Sequence, residues 1–231
     1  MSNITPFFAG LAFFYFASCS APQTENKVEA TAPAVTEDTS AADAAAPGTV
    51  YVLQKEQSLV QWTGSNKFTP KKHSGTLQLA EGSFSVKDNH LSGGNFVADM
   101  HSISAPGDEY TDGLKKVGYL VNHLKSADFF DVEKFPTATF TITAVKPLEG
   151  NPEYTHEVTG NMTIKGITKA ITFPAKVEIT GSELKASTVF TIDRSQWEVK
   201  YGSETFFPDL VKDKLIRNEV ELRLNLVAEA G

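Results

Sequence analysis

Five histidines, His73, His90, His101, His123 and His156, are the side chains best suited to metal ligation or proton transfer. No two of them stand three to five residues apart, and no His-Glu-x-x-His pattern occurs, so ligand spacing is absent. His73 and His123 could still converge in the fold, as ligands or as ordinary hydrogen-bonding groups. No serine has the setting of a nucleophile elbow, and the one cysteine, Cys19, can form neither an internal disulfide nor a cysteine cluster. Two charged motifs remain. Asp193-Arg194 ends an alternating stretch and could be a salt bridge, a backbone clamp or, should Arg194 border a cavity, the partner of a phosphate or carboxylate. Lys71, Lys72 and His73 read as a solvated turn or as contacts for a headgroup. Hydrolysis and acyl transfer have no visible machinery, so the expected protein is not an enzyme, has no metal, and binds rather than converts.

A denser cluster, NHLKSADFFDVEKFPTATFTI, spans residues 122–142. Phe129, Phe130 and Phe135 are apolar anchors around a tight turn, and Pro136 pushes Phe135 toward extended geometry. Asp128, Asp131 and Glu133 can accept from backbone N–H groups or pair with lysines. The expected role is a plug or hinge that closes one end of what the strands enclose; a ligand gate is the alternative.

The elements that would position these residues are strands. Val60, Trp62, Gly64, Asn66 and Phe68 share a face, and strands follow over residues 75–79, 83–87 and 94–101, with residues 80–82 and 88–93 as turns. Leu114, Val117, Val121 and Leu124 recur at helical spacing, which predicts one amphipathic helix over 111–125, capped by Thr111 or Asp112. Clean alternation then returns at 138–144, 158–164, 171–179, 184–192 and 220–228. One apolar face per strand excludes a parallel sheet covered on both sides and leaves an antiparallel sandwich or a closed barrel. Pairing of the last strand with the first would remove exposed edges. The inward set, Trp62, Phe84, Phe96, Phe140, Ile142, Met162, Phe173 and Phe190, could fill a barrel or line a ligand cavity.

Before the strands the chain changes character. Residues 7–17 are an apolar run of 11, and Ala17 and Ser18 lead into Cys19. This resembles a bacterial lipoprotein signal: residues 1–18 would be the signal peptide and Cys19 the lipidated first residue of the mature chain. An ordinary secretory signal and an uncleaved anchor are the alternatives. Residues 20–48 hold five acids against one base, leaving about −3 of the net −7 for the rest of the chain. That balance does not favour a nucleic-acid partner. With no aromatic residue and no hydrophobic period, residues 19–48 are expected to be a disordered acidic tether, reaching roughly 30 Å. The folded domain is expected over residues 49–231.

Three ordered motifs carry a resemblance to a known family. They are His123-Leu124-Lys125-Ser126-Ala127-Asp128-Phe129-Phe130-Asp131 with Val132 to Phe140 after it, then Val158-Thr159-Gly160-Asn161-Met162-Thr163-Ile164-Lys165-Gly166, then Phe190-Thr191-Ile192-Asp193-Arg194. Over residues 49–228 the chain resembles the YceI-like family. The resemblance implies an all-β fold: an antiparallel eight-stranded, lipocalin-like barrel with one amphipathic helix after the fourth strand. It also implies a location in the bacterial periplasm and an interior that takes a long isoprenoid or related amphiphile, a quinone included, with no other cofactor. Trp197 stands where the family pattern is small and glycine-containing, so it would shorten the cavity or alter its ligand. The expected headgroup contacts are Arg194, His73 and Lys72. The expected partners are the lipid, the membrane surface through Cys19, and a second copy in a homodimer. A filled barrel acting as a tethered envelope scaffold is the second reading.

Overall fold

The structure, a computed structural model, describes residues 26–33, 48–106 and 118–231. The expected signal peptide and Cys19 lie outside these residues. Among them are nine antiparallel strands: β1 (Thr49–Leu53), β2 (Leu59–Ser65), β3 (Lys72–Lys87), β4 (His90–Asp99), β5 (Thr137–Pro147), β6 (His156–Ile164), β7 (Ile167–Thr180), β8 (Glu183–Asp193) and β9 (Glu219–Ala230). The helix α1 (Tyr119–Lys125) lies between β4 and β5.

The sheet closes on itself. β9 pairs with β8 on one side and with β2 on the other, Val60 opposite Leu224 and Trp62 opposite Leu222, while β3 pairs with β4. β1 and β2 both lie between β3 and β9, end to end, broken by the turn at Lys55–Gln57. They share one position, so the wall has eight strand positions, and closure pairs every strand on both sides except where β7 and β8 part. Alternation puts Phe84, Phe96, Phe173, Phe190 and Leu226 in one buried core.

Two expectations about elements change. Residues 80–82 are not a turn: β3 runs unbroken through them, with a bulge between Leu79 and Glu81 opposite β4. Gly82 marks a close approach, since a Cβ there would stand 2.8 Å from the Phe96 ring. The helix is seen over Tyr119–Lys125, entered from Gly118 at φ 83°; the expected caps Thr111 and Asp112 lie outside the described residues.

The third change concerns the tether. Residues 26–33 lie against the barrel wall, with Val28 buried in the main core. β7 and β8 pair only from Lys176 and Ser187 to Thr180 and Glu183. Pro174 stands where the ladder stops, and having no N–H it cannot continue the pairing; its carbonyl instead accepts from the Thr188 hydroxyl at 2.6 Å. Above that point the strands part, and residues 26–33 fill the gap. Composition could not show this, because the docking groups are main-chain atoms of β7 and β8.

The phenylalanine knot builds a second, smaller core of Met100, Ile103, Leu124, Phe129, Val132 and Val199 across the end of the barrel that carries α1. Asp131 adopts a left-handed conformation (φ 50°), and its carbonyl accepts from the N–H groups of Lys134 and Phe135. The Lys165-Gly166 turn joining β6 and β7 has both residues at positive φ, the geometry of a two-residue hairpin of the primed type. From it the Lys165 ammonium donates to the Phe129 carbonyl at 2.7 Å and ties the knot to the wall. Burial pushes the Lys165 ammonium below its ordinary value, and the nearby Asp131 opposes the shift.

Candidate functional site

The barrel encloses a cavity of about 600 Å³, within the usual range for small-molecule sites. Trp62, Phe84, Phe96, Phe140, Ile142, Met162, Phe173, Phe190 and Trp197 all contribute to its lining; alternation in the strands turns the first eight inward, and Trp197 arrives from the turn after β8. Phe173 and Phe190 stack at 4.3 Å with their planes 7° apart, and Phe140 leans on Phe173 at 5.5 Å. Phe84 meets Phe96 edge-on at 4.8 Å. These rings pack along the wall and leave the middle open.

Trp197 is fully buried, its indole N–H donating to the Met162 carbonyl at 3.1 Å. It sits in the turn Arg194–Trp197 that follows β8. The side chain thus occupies wall volume, fixed in place by one directed bond.

Most of the polar lining, Ser187 and Thr188 of β8 being set apart from it, gathers at the α1 end. Ser65, Asn66, Thr69, Tyr119 and Tyr201 are there, with Lys71, His73, His123, Lys214 and Arg217. Lys72 is not in the lining. It opens β3 opposite Ser65 and is exposed, and period-two alternation puts Lys71 and His73 on the face that Lys72 cannot share. His123 and His73 both border the cavity, and His123 packs edge-on against Tyr201 at 4.4 Å with the Asp128 carboxylate 3.7 Å away. Among the described residues no group of three or more His, Cys, Asp or Glu converges as a metal site would need.

Arg194 is 3% exposed and lies within the lining. Its Nε donates to the Arg217 carbonyl at 3.2 Å, one terminal nitrogen to the Ile216 carbonyl at 3.3 Å, and the other to the Val199 carbonyl. The guanidinium also stands 5.5 Å from the Phe129 ring centre. Asp193 turns elsewhere, accepting from the Ser195 N–H and hydroxyl. The structure therefore shows the backbone clamp and no Asp193–Arg194 salt bridge, while Arg194 also meets the condition set for the third role, since it borders the cavity. Burial lowers the Arg194 pKa to about 10, against the pull of Asp193 and Glu219, so the group stays cationic at neutral pH. Every charged side chain in the described lining is basic: Lys71, Arg194, Lys214 and Arg217.

Lys214 and Arg217 were beyond sequence reasoning, because residues 198–218 have no hydrophobic period. Their one signal was the run of basic residues Lys212, Lys214 and Arg217 just before the last strand.

A closed antiparallel barrel around an apolar cavity with a basic mouth defines a small-molecule-binding class of β-barrel. The chain belongs to the YceI-like family, whose domain model matches residues 51–228. Protein YceI of Salmonella arizonae and of Salmonella newport are each 51% identical to it over 55 residues, which is 24% of this chain and 27% of theirs. The match thus spans about a quarter of those relatives. Among solved structures, BcnA of Burkholderia cenocepacia superposes with a TM-score of 0.59 at 22% identity, covering 76% of this chain and 99% of that one. A polyisoprenoid-binding domain from Saccharophagus degradans gives 0.57 at 17% identity, covering 78% and 98%. At these identities the likeness establishes the fold.

Proposed function

We propose that the protein is a non-catalytic carrier of a long isoprenoid or similar amphiphile, a quinone included, in the bacterial cell envelope, joined to the membrane through lipidated Cys19. The observation that carries the reading is the cavity: about 600 Å³ of apolar space with a cationic rim. Each methylene moved from water into such a space contributes about 0.8 kcal/mol, so a long tail needs no strong polar anchor. Orientation then comes from the mouth. An anionic or strongly hydrogen-bonding head would face Lys214, Arg217, His73 and buried Arg194, while the tail lies along Phe140, Phe173 and Phe190. The Saccharophagus domain, described as polyisoprenoid-binding, supports the same reading by analogy of fold.

Titration of delipidated protein with two fluorescent probes of equal chain length, one with a carboxylate head and one with a neutral head, tests this. Both should bind, the carboxylate more tightly. The paired substitution Lys214→Gln and Arg217→Gln should cost the carboxylate probe about tenfold in affinity, with little change for the neutral one. Failure of both probes to bind would remove the carrier reading; equal losses for both would remove the role assigned to the rim.

A further inference from the structure

We propose that residues 26–33 form a detachable strap over a lateral seam of the barrel, and that the seam is the route by which an amphiphile's chain reaches the cavity. The second half of this statement rests on the carrier reading above; the first half does not.

The strap is held as an inserted strand. It runs parallel to β8 and antiparallel to β7, as a filler between two antiparallel strands must. The Val28 N–H donates to the Thr191 carbonyl at 2.9 Å, and the Thr191 N–H donates to the Asn26 carbonyl at 2.9 Å. On the other side the Thr31 N–H donates to the Ala170 carbonyl at 2.9 Å, and the Ala170 N–H returns a bond to Thr31 at 3.1 Å. Without the strap, these four groups of β7 and β8 would face water as open strand edges.

Its hold is modest for its length. Val28 is the one fully buried side chain of the strap, Ala30 is partly buried, and Glu29 is exposed. The Lys27 ion pair with Glu219 spans 3.0 Å between half-exposed groups, where such pairs contribute little. Segments with few buried apolar contacts and water-accessible edge bonds open locally, well before the fold as a whole. The β7–β8 hairpin below Pro174 keeps its own ladder, so strap release would not require the barrel to unfold.

The seam also lies close to the cavity. Phe173 and Phe190, which stack across the gap, are lining residues themselves, so one layer of side chains separates strap from interior. The strap further shortens the leash. Cys19 and Asn26 are seven residues apart, at most about 25 Å of chain. A lipidated Cys19 would therefore hold the seam side of the barrel near the bilayer, where amphiphiles reside.

The test uses the full chain with Cys19→Ser in every sample, so that engineered thiols pair only with each other. Thr31→Cys with Ala170→Cys would lock the strap, because a hydrogen-bonded antiparallel pair has Cα atoms about 5.5 Å apart, within disulfide reach. Val28→Asp would release it. Uptake of the fluorescent fatty acid cis-parinaric acid should slow by about tenfold or more in the locked form, recover on reduction, and quicken in the released form. Hydrogen exchange should show the Val28, Thr31, Ala170 and Thr191 amides opening together in the unlocked chain, ahead of those in the β7–β8 hairpin. Unchanged uptake in the locked form would overturn the route. Exchange of these amides only with global unfolding would overturn the strap. A chain that exchanges as expected yet never takes up the probe would keep the strap and remove the carrier reading with its route.

Discussion

At the residue scale, the alternation of large and small inward side chains is what keeps the interior open. The Phe140 ring lies over Gly160 on the neighbouring strand, where an added Cβ would stand 2.3 Å from the ring. Gly160→Ala should therefore push the ring into the cavity, costing about 1–3 kcal/mol of stability and weakening probe binding. Urea melts beside a binding titration would check it; wild-type values in both would refute the packing described. The set of inward residues was legible from period two alone, since pleat geometry fixes which side chains share a face. The fate of Asp193-Arg194 was not, because its partners are the carbonyls of Val199, Ile216 and Arg217, which no residue code distinguishes.

At the element scale, α1 has only seven residues, too short to be stable alone, and depends on the second core beneath it. Val132 is 1% exposed at the centre of that core. Val132→Ala should cost about 2 kcal/mol and raise hydrogen exchange in α1 more than in β7 or β8; equal increases throughout would show that the knot is not a separate closing unit. Strand existence was readable along the chain, whereas continuity was not. Gly82 was read as a turn because glycine serves both turns and close approaches, and only the Phe96 ring decides between them. Pro174 was the neglected clue, a residue that cannot complete a ladder inside an otherwise regular strand, and it marks the seam.

At the scale of the whole molecule, eight strand positions are just enough either to fill a barrel with side chains or to leave room for one ligand, and composition could not choose between them. Here the aromatics lie along the wall, Trp197 is pinned to Met162, and about 600 Å³ stays free. That volume favours the proposed carrier over a scaffold, and on that reading the basic rim would orient the ligand. Mass spectrometry of lipid extracted from freshly purified full-length protein tests this most directly. The account predicts one class of long-chain amphiphile in near-stoichiometric amount, lost when Ala138→Trp fills the cavity from β5. Protein that is reproducibly empty, or lipid retained unchanged by the filled variant, would contradict it.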